Sequence, residues 1–244
     1  MQKLIVIPTY NEKDNILNLL EQIFKIVPDV HILIVDDASP DGTGQFIDNI
    51  IEKNTFSNRL HIMHRSGKLG LGSAYIQGFT WGMEQGFEIL TSMDADFSHK
   101  PEYLPQIFET MKTHDLVIAS RYVKGGGVED WGLFRRILSF GGSLYARIAL
   151  LSNIHDFTGG FNCYHAQFLK KIKLSQVQSK GYCFQIEMKF RHVLLNAKIK
   201  EIPIIFPDRK LGTSKMSGNI IQEAVINVLK LSLLRNKIKK QMAN

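Results

Sequence analysis

The feature that most constrains this chain is a repeated alternation: a short β-branched apolar run, a polar break, then a stretch with helical spacing. Leu4 to Ile7 stops at Pro8 and is followed by Ile16, Leu19, Leu20, Ile23 and Phe24 on one helical face. His31 to Val35 ends at Asp36, Asp37 and the turn-rich Ser39-Pro40-Asp41-Gly42, after which Phe46, Ile47, Ile50 and Ile51 repeat the pattern. Leu60 to Met63 precedes the glycine-rich Gly67 to Gly72 and a helix through Trp81; Ile89 to Met93 precedes Asp94; Leu116 to Ala119 precedes Arg121. Strands alternating with helices need right-handed crossovers, so the expectation is an α/β fold, a Rossmann-like, mostly parallel sheet with helices on both faces. Ligands of such sheets bind beyond the carboxyl ends of the strands. Tyr10-Asn11-Glu12, Asp36-Asp37, Asp94-Ala95-Asp96 and Ser120-Arg121 each follow a strand, so separate strand ends deliver polar groups to one edge.

From Gly125 onward the pattern reads as helices broken by Gly159-Gly160 and Gly181, a strand from Ile199 to Phe206, and a basic amphipathic helix from about Asn219 to Lys240. No linker separates a second domain, so residues 1–244 are expected to form one domain. Within it, 125–155 is a distinct segment and 217–244 a basic C-terminal amphipathic helical region. With 44% hydrophobic and 22% charged residues, fibrous and disordered classes are excluded. No stretch has the eighteen or so uncharged apolar residues of a membrane span. The nearest, Ile137 to Ile154, is broken by Arg147 and follows Arg135 and Arg136, which fits an amphipathic helix at an interface or a buried core helix. Cys163 and Cys183 match no cysteine-rich metal pattern, and without a signal-peptide start they read as packing residues of a reducing compartment.

Charge is distributed unevenly. The net is +7, but the chain from Lys189 carries twelve Lys and Arg against Glu201, Asp208 and Glu223. That tail suits an anionic surface, membrane headgroups or nucleic acid, or is simply a solvated helix face. No RNA-binding signature with interleaved aromatics accompanies it, so no nucleic acid is expected.

Asp94 and Asp96 end an apolar strand, where two carboxylates can share a hard cation. Mg²⁺ or Mn²⁺ takes oxygen ligands and keeps positions for substrate phosphates. By itself an Asp-x-Asp is more often a capping or solvated pair. Asp36-Asp37 also ends a strand; one carboxylate there can meet a ribose or base, while Asp36 suits stabilising the following turn. Lys68-Leu69-Gly70-Leu71-Gly72 lacks the Walker pattern and fits close packing at a helix start.

Taken together these motifs resemble a known family. Pro8-Thr9-Tyr10-Asn11-Glu12, Asp36-Asp37-Ala38-Ser39-Pro40-Asp41-Gly42-Thr43, Lys68 to Tyr75, Met93-Asp94-Ala95-Asp96 and Ser120-Arg121-Tyr122 resemble the inverting family 2 glycosyltransferases of GT-A fold. Gly181 to Met188 and Asp208 to Ser217 are similar to the narrower polyprenol (dolichol) phosphate mannosyl synthases. The resemblance implies transfer of mannose from GDP-mannose to a polyprenyl phosphate. UDP-glucose or another nucleotide sugar, or a polysaccharide acceptor, is the alternative, and a non-catalytic membrane or nucleic-acid-binding protein the rival of another class. It places the donor against Pro8, Tyr10, Glu12, Val35, Asp37, Asp94, Ala95, Asp96, Arg209 and Lys215, and a metal at Asp94 and Asp96 with Ser98 completing its shell. It gives Asp94, Asp96 and Arg121 catalytic roles, Arg121 and Arg135 the acceptor phosphate, and 125–155 the membrane-facing acceptor region. It further implies a peripheral position on the cytoplasmic face of a membrane, with an accessory membrane subunit as a further partner. Relatives usually carry Arg where Asn162 stands and often where His165 stands, and Asn where Ser143 stands, so the acceptor phosphate here needs other cations or the acceptor differs.

Overall fold

Side chains alternate between the two faces of a strand, and along the central strands of this chain both sets are apolar. Strand β1 (Lys3–Thr9) sends Leu4 and Val6 to one face and Ile5 and Ile7 to the other; β2 (His31–Asp36) divides Leu33 and Val35 from Ile32 and Ile34 in the same way. The structure, a computed structural model, describes residues 1–179, 181–208 and 218–243. The other strands are β3 (Leu60–His64), β4 (Ile89–Ser92), β5 (Leu116–Ser120), β6 (Gly127–Val128), β7 (Asn162–His165), β8 (Ile199–Pro203) and β9 (Ile205–Phe206). Seven of them form one sheet in the order β3-β2-β1-β4-β7-β5-β8, parallel except for β7; β6 and β9 pair separately, also in parallel.

Helices α1 (Lys13–Ile26), α2 (Thr43–Glu52) and α4 (Leu104–Met111) seal one face through Ile16, Leu19, Ile47, Ile107 and their neighbours. The other face is covered by α3 (Leu71–Glu84), α5 (Leu133–Ala149), α6 (Ala166–Ile172), α7 (Gly181–Leu194), α8 (Gly218–Leu233) and α9 (Arg235–Ala243). The mostly parallel sheet with two helical layers agrees with the expected α/β fold. Two details differ. Ile199 to Phe206 is not one strand: β8 closes the large sheet, and after Ile204 the chain leaves it to pair as β9 with β6. And β7, four residues that read as an interruption between helices, is a strand inserted antiparallel between β4 and β5.

That insertion positions the site. Asn162 pairs with Ser92 and with Ile118, so β7 begins where β4 and β5 end. The segment leading into it, residues 156–161, therefore crosses the same sheet edge as Asp94 and Arg121. His165 pairs with Ile89 at the opposite edge. At the ordinary rise of a strand it lies about 10 Å from Asn162, so it cannot supply a charge to a group bound at the Asp94 edge, as its place in the motif had suggested.

No helix among the described residues is long and apolar enough to cross a membrane. Ile137 to Ile154 is instead the amphipathic case: α5 buries Ser143 and Ala146 but exposes Leu133, Phe134, Ile137, Phe140, Leu144 and Ile148. α8 runs beside it, with Tyr145 Oη donating to the Val225 carbonyl and Ser232 Oγ to that of Ala149, and exposes Val225, Ile226, Leu229 and Leu233. Exposed apolar side chains thus stand on both of these neighbouring helices.

Candidate functional site

The loops after β1 and β2 are built from each other's side chains. Asp36 is buried and accepts hydrogen bonds from Thr9 Oγ1 at 2.8 Å and from the amide and hydroxyl of Ser39 at 2.9 and 2.6 Å. It is the turn-stabilising member of the pair, as its position implied. Asp41 does the same one turn later, accepting from Thr43 and from the Lys13 amide; these bonds hold its carboxyl below the usual carboxylate range against the opposing effect of burial, which is the largest single influence. Asn11 and Ala38 adopt left-handed backbone conformations here and Phe97 does so after β4, a cost tolerated where a fold must aim specific groups.

Asp37, 7% exposed, is ion-paired to Arg65 Nη1. Arg65 is itself buried and its Nη2 donates to Ser73 Oγ at 2.6 Å on α3. This partner was not singled out in the sequence; a single Arg after an apolar strand, 28 residues from its Asp, has no local signature. Close by, the Lys68 ammonium lies 3.7 Å from the Tyr10 ring centre. Of the glycines after Lys68, Gly72 serves packing, since a Cβ there would come within 3.1 Å of Phe184 on α7, while Gly70 takes a positive φ as the chain enters α3. Pro8 and Glu12 flank the same loop, Glu12 accepting from Asn15 Nδ2 as α1 begins. The Val35 side chain is wholly buried in the core, so only its main chain reaches the edge.

At the end of β4 each carboxylate is held by its own neighbours. Asp94 Oδ1 accepts from Tyr75 Oη at 2.9 Å, and the Asp94 amide donates to His99 Nδ1 at 2.8 Å, which leaves the ring proton of neutral His99 on Nε2. The His99 ring is buried against Phe161, 4.9 Å between centres. Asp94 and full burial together drive the Tyr75 hydroxyl well above the ordinary tyrosine range, burial most, so it stays a donor. Asp96 Oδ1 accepts from both the amide and the hydroxyl of Ser98. Ser98, 1% exposed, thus braces this carboxylate. Ala95 between the two acids is buried.

No group of three or more His, Cys, Asp or Glu able to hold a metal occurs among the described residues. The donors on offer are the braced carboxylates Asp94 and Asp96. An all-oxygen, incomplete set fits a hard divalent cation that draws its remaining ligands from phosphate and water, and does not fit a soft or fully protein-caged ion.

Arg121, the residue expected to meet a substrate phosphate, is engaged by groups of the chain itself. Its Nε and Nη2 grip Asp156 at 2.8 and 2.7 Å, Nη2 also donates to Thr158 Oγ1, and the guanidinium is 7% exposed. Asp156 is fully buried and, against its own desolvation, is held far below the usual carboxylate range by Arg121 and Lys189. Lys189 on α7, also fully buried, donates to the carbonyls of Asp156 and Gly159 at 2.7 and 2.8 Å; burial brings its pKa down to about 8. Glu201 of β8 accepts from the amides of His155 and Asp156. The turn before β7 is therefore clamped by β5, α7 and β8, and Arg121 is part of the wall. Ser143 lies 3.1 Å from Thr158 Oγ1 at the edge of this network.

Arg135 of α5 is ion-paired to Asp208 and stacks on Trp131, 3.9 Å from the ring centre. It stands at the mouth of the site, between the strand ends and the apolar face. Arg209 and Lys215 lie outside the described residues. In the basic tail, Arg235 turns inward, donating to the Leu150 carbonyl and lying 5.1 Å from the Phe190 ring centre, whereas Lys230, Lys237, Lys239 and Lys240 are exposed. Cys163 and Cys183 are buried packing residues, and burial pushes the Cys163 thiol up to about 12.

Known proteins agree with this geometry. The sequence matches the model of glycosyl transferase family 2 over residues 4–173. It is 47% identical to an undecaprenyl-phosphate mannosyltransferase of Micrococcus luteus, covering 96% of this chain and 95% of that one. It is 46% identical to a polyprenol monophosphomannose synthase of Mycolicibacterium smegmatis, covering 92% and 84%. In fold it resembles glucosyl-3-phosphoglycerate synthase of Mycobacterium tuberculosis in complex with UDP, TM-score 0.68 at 16% identity over 95% of this chain and 80% of that one. It likewise resembles a mannosyltransferase of Pyrobaculum calidifontis in complex with GDP-Man and Mn²⁺, TM-score 0.59 at 15% identity over 99% and 73%. The chain belongs to glycosyl transferase family 2, among its polyprenyl-phosphate mannosyltransferases.

Proposed function

We propose that the protein transfers mannose from GDP-mannose to a polyprenyl monophosphate, with inversion at the anomeric carbon. The observation that carries this reading is a juxtaposition: Asp37, Asp94 and Asp96, each fixed by its own partners, share one sheet edge that opens beside the exposed apolar face of α5. A water-soluble nucleotide sugar and a lipid phosphate need that pair of surroundings.

Asp37, oriented and neutralised by Arg65, accepts hydrogen bonds from the nucleoside, with Pro8, Tyr10, Glu12 and the Val35 main chain around it. Asp94, Ala95 and Asp96 face the diphosphate, and the two carboxylates would hold Mg²⁺ or Mn²⁺. Once bound, such an ion neutralises charge on the departing nucleoside diphosphate. The acceptor needs no strong base from the chain, since a phosphate monoester has a second pKa of about 6 and is mostly dianionic at neutral pH. The chain's task is to align two anions and offset their repulsion. Arg135, tethered by Asp208 and Trp131, is placed to do so. Arg121 acts through Asp156 and Thr158 as a positioning residue.

The α5–α8 apolar face would rest on the membrane, with the exposed lysines of α8 and α9 adding attraction to anionic lipid at about 1 kcal/mol each at low salt. The protein would then sit peripherally on the face where nucleotide sugars are available. The test is label transfer into the organic phase from radiolabelled GDP-mannose with polyprenyl phosphate and Mg²⁺ or Mn²⁺, alongside UDP-glucose and EDTA reactions. Metal-dependent transfer from GDP-mannose is expected; transfer from UDP-glucose alone, or from neither, overturns the reading.

A further inference from the structure

Tyr75 on α3 is fully buried, its ring stacked 5.8 Å from Phe79 and 6.0 Å from Phe184, centre to centre. Phe184 reaches it because α3 and α7 approach closely at Gly72, where a Cβ would meet Phe184 at 3.1 Å. A phenylalanine would fill this seat and spare the cost of burying a hydroxyl, which only a hydrogen bond offsets. Among the described residues the Tyr75 hydroxyl makes one such bond. Its acceptor is Asp94 Oδ1 at 2.9 Å, 19 residues along the chain.

The two acids of Asp94-Ala95-Asp96 are therefore held in different ways. Asp96 takes its bonds from Ser98, two residues on, so its own loop sets its orientation. The Asp94 carboxylate takes its bond from another element, α3. Its second oxygen, Oδ2, accepts no hydrogen bond among the described residues; His99 Nε2 stands 3.9 Å away, beyond hydrogen-bond reach. The Asp94 side chain nonetheless keeps 27% of its surface exposed. A hydrogen bond to a charged acceptor, from a ring seated against two others, fixes one oxygen and leaves the other to a cation. Groups that orient a metal-binding carboxylate without touching the ion commonly control its affinity about tenfold or more.

We infer that Tyr75 is a positioning residue for the divalent cation: its hydroxyl holds the Asp94 carboxylate so that Oδ2 is the oxygen offered to the ion. The inference rests on the metal reading given above. The test is Mn²⁺ binding without turnover, in wild type, Tyr75→Phe, Asp94→Ala and the double variant, each saturated with GDP. The electron paramagnetic resonance signal of free Mn²⁺ reports the bound fraction. Tyr75→Phe keeps both ring contacts and leaves an acceptor that water can reach, so the fold should persist. It should bind Mn²⁺ about tenfold more weakly than wild type. Asp94→Ala should bind more weakly still, and adding Tyr75→Phe to it should cost nothing further, because the hydroxyl acts only through that carboxylate. Equal Mn²⁺ affinity in wild type and Tyr75→Phe, or a further loss of about tenfold in the double variant, overturns the inference and leaves the metal reading intact. A wild type that binds no Mn²⁺ in the presence of GDP overturns the metal reading and this inference with it.

Discussion

The turn at residues 156–160 and the outer face of α5 lie close together in the fold and are built on opposite terms. The turn has lost nearly all contact with water: Asp156 and Lys189 are fully buried, Arg121 nearly so, and their charges are spent on one another and on backbone carbonyls. The α5 face has lost almost none: Phe134 is 77% and Ile137 61% exposed. Buried ion pairs stabilise little in themselves but are severely punished when one partner is removed. Exposed apolar side chains add nothing to the fold and are available to another surface. On the proposed function the first region would set geometry and the second location, and the two should fail independently.

The largest effect is expected at the turn. Asp156→Asn strands Arg121 and Lys189 without their counter-charge, and unfolding measurements should show a loss of about 3–5 kcal/mol. Asp96→Ala separates chemistry from stability. Transfer should fall a hundredfold or more, roughly 3 kcal/mol of transition-state stabilisation, whereas losing the bonds from Ser98 should cost only about 1 kcal/mol of stability. Next comes His192 on α7, buried beside Tyr164 and Phe168 and hydrogen-bonded to the Met188 carbonyl. Burial brings its pKa down to about 4 from 6.5. Between those values the unfolded chain takes up a proton that the folded chain refuses, so stability falls on acidification and is complete only above about pH 6.5. Denaturant titrations at pH 7 and pH 5 should differ by about 2 kcal/mol more in wild type than in His192→Gln. The smallest effect belongs to the tail. Lys240→Gln should weaken binding to anionic vesicles about fivefold at low salt and not at all near 1 M salt.

The parallel sheet and the strand-end carboxylates were legible in the sequence because both have local signatures: β-branched runs, and acids directly after them. Even the division between Asp36 and Asp37 could be read, since a turn follows within reach of one of them. What was not legible is non-local. β7 is too short for a period to show, opens on a polar residue and follows two glycines, so its neighbours' helical spacing dominates. With β7 unread, nothing brings Asp156 to Arg121 or Gly160 to Asp94, and Arg121 is left looking free to meet a phosphate. Arg65, His99 and Lys189 were missed for the same reason, and Tyr75 stood in its motif without a role. Each is a single residue whose partner is far along the chain or, in His99, a backbone amide. On α5 the pattern allowed a core helix or a surface one equally, because amphipathicity states that one face is apolar and not which face is covered.

The central claim, that the strand edge performs the transfer while the α5–α8 face delivers the enzyme to its lipid, is tested by one paired assay. Phe134→Glu/Leu144→Glu and wild type are given GDP-mannose with either a short, water-soluble prenyl phosphate or a long polyprenyl phosphate in vesicles. Transfer to the soluble acceptor should match wild type while transfer in vesicles falls tenfold or more. Equal loss on both acceptors, or on neither, contradicts the account.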